Sequence, residues 1–324
     1  MAGEKRQYLA TAARGLGEVV AQELKALGIE VMGEERHGVR FAGDLRDCYR
    51  ANLWLRCANR ILLPLADVPA ATANELYDQI RAIPWQQYLT PEMTLAVSAT
   101  THDSFASHSG WLALKVKDAI VDTLRDQCGS RPSVDVRNPD LAVVVHLVKN
   151  RCSISLDSSG EGLDRRGYRL ERTPAPLRET LAAGLVMLSG WDETVPLVDP
   201  MCGSGTIAIE AALRASHRAP GLERSFGFQR WPDFDSQLWQ RVLEDARQQV
   251  VQPVASIIAA DLDVASLQIA EANAQRAGVA SFITFIRSDM GDLTPPLHQG
   301  CSSPTPPMAS VWAKQRPSSH FTDR

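Results

Sequence analysis

The chain has 324 residues, enough for two or three domains with real cores. Apolar residues make up 44% and charged residues 22%, and the formal net charge of −4 excludes a generally basic protein, so any nucleic-acid contact has to come from a local patch. No apolar run reaches the roughly 18 residues of a membrane helix and M-A-G-E-K-R-Q is no secretion signal, so we expect a cytoplasmic protein without a membrane partner.

The opening Y-L-A-T-A reads as a strand, and R-G-L-G-E-V-V-A-Q-E-L-K-A-L-G as a helix that Gly28 stops. I-E-V-M and G-V-R-F-A alternate as strands do, a second helix covers D-L-R-D-C-Y-R-A-N-L-W-L-R, and N-R-I-L-L-P-L-A closes a first unit, 1–68. A second α/β unit, 69–157, follows with helices N-E-L-Y-D-Q-I-R-A-I and G-W-L-A-L-K-V-K-D-A-I-V-D-T-L-R-D-Q. Its strands are T-L-A-V-S-A, L-A-V-V-V-H-L-V and R-C-S-I-S-L-D, the last two joined by a Lys-Asn hairpin turn. His146 lies in the apolar strand and is expected in the core. Residues 158–175, rich in Gly, Pro and Arg, read as a linker, and a third unit begins with L-R-E-T-L-A-A-G-L-V-M-L-S-G-W. Six cysteines (Cys48, Cys57, Cys128, Cys152, Cys202, Cys301) form no C-x-x-C pair, so no metal site and no disulfide framework is indicated, and isolated buried thiols are expected.

The chemistry concentrates in V-P-L-V-D-P-M-C-G-S-G-T-I-A-I-E-A-A-L-R-A, an apolar strand, a glycine turn and a helix. Gly203 and Gly205 let backbone pass close to a ligand beside the free N–H groups of the helix start. Gly203-x-Gly205-x-x-Ala208 also fits a dinucleotide fingerprint, which keeps a nicotinamide-dependent oxidoreductase open. Asp199 argues the other way: a carboxylate at the strand end repels a pyrophosphate and attracts a cation, as in S-adenosyl-L-methionine with its ammonium and sulfonium. V-A-S-I-I-A-A-D-L-D ends a second strand at Asp261, suited to ribose hydroxyls, and F-I-T-F-I-R-S-D ends a third at Asp289, suited to an adenine amino group. Each aspartate alone reads as a cap for the next helix. Three in this order read as a site at the carboxyl ends of an open α/β sheet.

D-P-M-C-G-S-G-T (199–206), with P-L-R-E-T-L-A-A (176–183), S-G-E-G-L-D-R-R-G-Y-R (159–169) and K-V-K-D-A-I-V-D (115–122), resembles the bacterial 23S ribosomal RNA guanine-N2 methyltransferases of the RlmL type. The resemblance covers residues 8–299. It implies an α/β chain with a ferredoxin-like unit, a THUMP RNA-binding domain (69–157) and a Rossmann-like, doubly wound methyltransferase domain represented here by its N-terminal half (176–299). It further implies 23S ribosomal RNA as partner and cofactor roles for Thr180, Asp199, Cys202, Gly203, Ser204, Gly205, Thr206, Asp261 and Asp289. For RNA capture, Arg165, Arg166, Arg169 and Arg172 form a basic patch in the linker that Lys115 and Lys117 extend. Between the motif helix and the Asp261 strand the stretch 216–252 exceeds what a bare β-α-β unit needs. Its Arg224, Phe226, Phe228, Arg230 and Trp231 suit base stacking, or else anchor the insert by their aromatic rings.

The family's next strand should end in Asn-Pro-Pro-Tyr, which grips the guanine. This sequence contains no N-P-P-Y. When codons are rebuilt from Pro304 with the last nucleotide of each residue and the first two of the next, the ATG of Met308 and the TGG of Trp312 each force a glycine. The other shifted codons permit Asn-Pro-Pro-Tyr-Gly-Glu-Arg-Leu-Gly-Glu-Ala. We therefore expect 300–324 to be an out-of-frame tail, the cofactor half of an enzyme to precede it, and the chain as it stands to be inactive. A non-catalytic RNA-binding fragment stays open, on the ground that the two N-terminal units are complete.

Overall fold

The computed structural model describes residues 4–170 and 177–293. Two compact units divide the chain, Met1–Arg165 with Pro220–Ala246, and Arg166–Ala219 with the residues from Arg247 onward. The first opens with β1 (Arg6–Ala12), α1 (Gly17–Ala26), β2 (Glu30–Glu35), β3 (Gly38–Gly43), α2 (Leu45–Trp54) and β4 (Ala58–Pro69). It continues with α3 (Ala73–Arg81), β5 (Thr94–His102), α4 (Ser109–Cys128), β6 (Ser133–Val134), β7 (Leu141–Val148) and β8 (Arg151–Asp157). Local chemistry sets these limits. Asp44 and Asp47 form a reciprocal capping box on α2, Thr72 caps α3, and Lys149 and Asn150 both take positive φ in the β7–β8 turn.

The eight strands form one sheet in the order β2-β3-β1-β4-β8-β7-β5-β6. The expected boundary at residue 68 therefore falls inside a strand. β4 is 12 residues long, pairing with β1 through its first half and with β8 through its second. A register shift between Pro64 and Ala66 admits a proline, which has no N–H to give the ladder. The core expectation for His146 is also corrected. Alternation along β7 buries Leu141, Val143, Val145 and Leu147 and turns His146 to the exposed face, 2.5 Å from the Thr100 hydroxyl.

The second unit holds α5 (Glu179–Leu188), β9 (Leu197–Asp199) and α6 (Thr206–Ala215), then, after an excursion containing α7 (Ser236–Gln248), β10 (Ile257–Asp261), α8 (Val264–Arg276) and β11 (Ile283–Arg287). Its strands are parallel in the order β11-β10-β9, with Ala259 opposite Asp199 and Asp261 opposite Arg287. Ala208, Ile209 and Ala212 of α6 and Leu267, Ala270 and Ala274 of α8 share one apolar core with Leu197, Ile257 and Ala259 of the strands. Among the described residues β9 pairs with β10 alone.

The excursion, Pro220–Ala246, belongs to the first unit and decides between the two readings of its aromatic residues. Phe226, Phe228 and Trp231 are buried at 1%, 1% and 6% exposure. Phe228 stacks on Tyr49 of α2 with ring centroids 4.4 Å apart, and Trp239 of α7 stands edge-on to Tyr49, Phe226 and Phe228. Arg224 donates to the carbonyls of Ser159, Glu161, Gly162 and Arg165, and Arg230 to that of Pro139. These five residues anchor the insert, with no ring face left for a base. They anchor it on the N-terminal unit, whose core is thus not completed by the N-terminal sequence alone.

Candidate cofactor site

β9 delivers Asp199 to the carboxyl edge of the parallel sheet and the chain turns sharply into α6. Backbone bonds fix that turn: Cys202 N–H donates to Ala260 O at 2.9 Å, and Gly205 N–H to Cys202 O at 2.8 Å. Gly203 and Gly205 take φ of +53° and +81°, a region that side chains disfavour. A Cβ on Gly205 would also lie 2.9 Å from Ala270 Cβ of α8, so the turn could not sit so close to that helix. α6 starts with no side-chain cap, which leaves the donors of its first turn to an outside acceptor. Ser204 and Thr206 are buried around it, and Asn273 donates to Ser204 O at 3.2 Å.

Three carboxylates stand along this edge, at the ends of β9 and β10 and two residues past the end of β11. Asp199 is 7% exposed. Burial, reinforced by the charge of Asp261, pushes its carboxyl up to about 6 against the opposing Met201 N–H. Asp261 accepts from Gly203 N–H at 2.9 Å and from Asp263 N–H at 3.0 Å, so it braces the glycine turn of its neighbouring strand. Capping of α8 falls to Asp263, which accepts from Ala265 and Ser266 N–H and is held below the usual carboxylate range by the Ser266 hydroxyl and those amides. The capping alternative therefore does not account for Asp261. Asp289 is exposed and accepts from Gly291 N–H at 2.8 Å. Burial pushes the Cys202 thiol up to about 12, so it packs as a neutral side chain.

The expected arginine patch is corrected in two of its members. Arg166 is 4% exposed and lies along α6, its Nε and Nη2 donating to Glu210 at 3.3 and 3.4 Å, while Tyr168 donates to the same carboxylate at 3.2 Å. Arg169 donates from Nη2 to the Thr206 hydroxyl at 2.6 Å and faces Glu179 of α5 at 3.2 Å. Thr206 and Glu210 are four residues apart on one face of α6, so the segment 166–169 follows that face and belongs to the second unit. Arg165 stays exposed and pairs with Glu161. Lys115 lies 4.5 Å over the Tyr77 ring and Lys117 pairs with Asp118. Thr180 is buried on α5 beside Glu179. Sequence reasoning missed Glu179 and Glu210. The visible signal was an acidic residue one turn after Thr206 in the apolar run I-A-I-E-A-A-L of α6.

Arg172 and the segment 300–324, with the shifted Asn-Pro-Pro-Tyr, lie outside the described residues. Among the described residues no helix is long and apolar enough to cross a membrane, and no three His, Cys, Asp or Glu side chains group as a metal site. Of the five described cysteines, Cys128 alone is exposed.

Residues 7–62 match the family described as RlmL ferredoxin-like domain, 70–157 the THUMP domain, and 166–302 the RMKL-like methyltransferase domain. "Putative RNA methyltransferase slr0064" of Synechocystis sp. (strain ATCC 27184 / PCC 6803 / Kazusa) is 42% identical over 306 residues, 93% of this chain and 79% of that protein. "Ribosomal RNA large subunit methyltransferase K/L" of Syntrophotalea carbinolica (strain DSM 2380 / NBRC 103641 / GraBd1) is 41% identical over 295 residues, and the chain spans only 41% of its length. The crystal structure of SMU.472 complexed with SAH overlays with a TM-score of 0.82 at 32% identity, covering 90% of this chain and 77% of that one. Three consecutive domain matches and relatives that run through both units place the chain in the RlmL-type methyltransferase family.

Proposed function

We propose that the carboxyl edge of β9-β10-β11 binds S-adenosyl-L-methionine, and that the chain is the cofactor-binding half of an enzyme methylating N2 of a guanine in 23S ribosomal RNA. The observation that carries the reading is the set of three carboxylates on one parallel-sheet edge around an uncapped helix start. Asp199 suits the cofactor's cationic end, Asp261 the ribose hydroxyls and Asp289 the adenine amino group. When bound, the cofactor supplies an electrophilic methyl group, and the protein contributes positioning and desolvation. A nicotinamide cofactor fits poorly, because its pyrophosphate would meet the buried Asp199. The eight-stranded unit with its THUMP domain is assigned to RNA capture, with Arg165, Lys115 and Lys117 as its candidate contacts, in the cytoplasm.

Guanine-N2 specificity rests on the family resemblance and on the Asn-Pro-Pro-Tyr that the shifted frame permits. Loss of one positioned hydrogen-bonding group, such as an oxyanion-hole donor, costs on the order of 100-fold or more in rate, and the 324-residue sequence lacks the whole motif. The test is to resequence the codons near residue 300 and assay both the chain and a frame-restored version, with tritiated S-adenosyl-L-methionine and unmodified 23S ribosomal RNA. The expected result is N2-methylguanosine from the restored protein only. Methylation by the 324-residue chain at a comparable rate would overturn the inactivity, and a methylated base other than guanine would overturn the specificity.

A further inference from the structure

We infer that Arg169 holds the α-carboxylate at the amino-acid end of the cofactor, at the N-terminus of α6. This rests on the cofactor reading above and deepens it. The buried ion pair with Glu179 does not by itself explain why Arg169 reaches the start of α6. Its side chain is 6% exposed, and it sets a cation against the positive end of a helix, where the backbone dipole favours an anion. Its donors are incompletely used. Nη2 donates to Thr206, the first residue of α6, but Nε is buried without a hydrogen bond even though Glu179 lies 3.2 Å away. A guanidinium carries five N–H groups and can share them between two carboxylates. α6 itself begins on Gly205, with no side chain capping its first turn.

The guanidinium bonded to Thr206 and the uncapped N–H groups of the first turn of α6 thus adjoin, and both suit an anion. The class of anion follows from Asp199 at the other end of the same glycine turn. A buried carboxylate there disfavours a phosphate or other polyanion but suits an ammonium. A single carboxylate beside an ammonium is the signature of an α-amino acid. The arginine is also preset. Arg166 and Tyr168 both donate to Glu210, one turn along α6 from Thr206, and Gly167 turns the chain between them at a φ of +94°. Residues 166–168 therefore act as a clamp that presents Arg169 to the helix start, which makes Arg169 part of the cofactor pocket and not of an RNA-facing patch.

The test is calorimetry on the 324-residue chain with two ligands, S-adenosylhomocysteine and 5′-deoxy-5′-methylthioadenosine. The second keeps the adenosine thioether and lacks the amino-acid end. Arg169→Gln is expected to weaken S-adenosylhomocysteine on the order of 10- to 100-fold, the range of a charge-assisted hydrogen bond, and to leave methylthioadenosine unchanged. Retained methylthioadenosine binding also reports a folded pocket. An unchanged S-adenosylhomocysteine affinity overturns the inference. If Arg169→Gln loses both ligands, Glu179→Gln decides: removing the competing carboxylate while keeping the guanidinium should tighten S-adenosylhomocysteine alone, and no tightening overturns the assignment. Wild-type chain that binds methylthioadenosine and not S-adenosylhomocysteine refutes the carboxylate site and spares the nucleoside reading. Binding of neither refutes the cofactor reading itself.

Discussion

In the first unit an eight-stranded sheet is packed by large side chains, with Tyr49 interlocked with Phe226, Phe228 and Trp239 of the returning segment of chain. In the second, three parallel strands are packed mostly by alanines and short aliphatics, and their ends carry carboxylates. Small residues let helix and sheet approach closely enough to form the glycine turn against α8. The ionised form of a carboxylate at 7% exposure opposes folding unless something cationic joins it. The contrast teaches where stability and chemistry reside: aromatic packing holds the first unit, while the second accepts unfavourable burial at the point where a ligand would relieve it.

The largest expected effect tests the packing side of that contrast. Trp239→Ala removes the ring that meets three others and should destabilise the first unit by about 3–5 kcal/mol, read by urea unfolding of the whole chain. S-adenosylhomocysteine affinity below the transition should be unchanged. Loss of less than about 1 kcal/mol would show that the insert merely rests on this unit.

Asp199→Asn sharpens the other side. A folded-state value raised from 3.8 to about 6 means the folded chain holds its proton more tightly than the unfolded chain. This carboxyl therefore makes stability fall as pH rises from about 4 to about 6, with no further change above. The penalty at neutral pH is roughly 3 kcal/mol. The asparagine variant should melt higher than wild type at pH 8 and nearly equal it at pH 4, while binding S-adenosylhomocysteine far more weakly. A variant less stable at pH 8 would mean that Asp199 is a structural residue.

Smaller effects locate the helix caps and the surface. Asp263→Ala removes the α8 cap and should cost about 1 kcal/mol, whereas Asp261→Ala leaves that cap in place and should act mainly on ligand binding. Asp67→Ala breaks the exposed pair with Arg151, at 2.8 Å, and should change thermal stability by less than about 1 kcal/mol. A greater loss from Asp67→Ala than from Asp263→Ala would contradict the weights given to exposure and capping.

What was legible in the sequence follows from which forces are local. Alternation in G-V-R-F-A, the stop at Gly28 and the Lys-Asn turn declared themselves because neighbouring residues decide them. The three strand-end aspartates were legible because a parallel sheet brings strand ends to one edge. His146 was misplaced although it lay in a readable strand, since the apolar run hid which face would stay open. Arg166 and Arg169 were misread as members of an exposed RNA-binding patch because their partners lie on helices of the second unit, Glu210 on α6 and Glu179 on α5, and only folding brings the linker onto them. The insert's aromatics were ambiguous for the same reason: nothing near Phe228 in sequence announces Tyr49.

The most direct measurement of the central claim, that the sheet edge around Asp199 is a cofactor site, is calorimetry of S-adenosylhomocysteine binding to the 324-residue chain between pH 5 and pH 8. Because the ligand's ammonium needs an ionised Asp199, affinity should rise with pH through about 6 and then level. Asp199→Asn should bind weakly and without that rise, and NAD should not compete. Affinity that is flat across this range in wild type, or NAD binding tighter than S-adenosylhomocysteine, would contradict it.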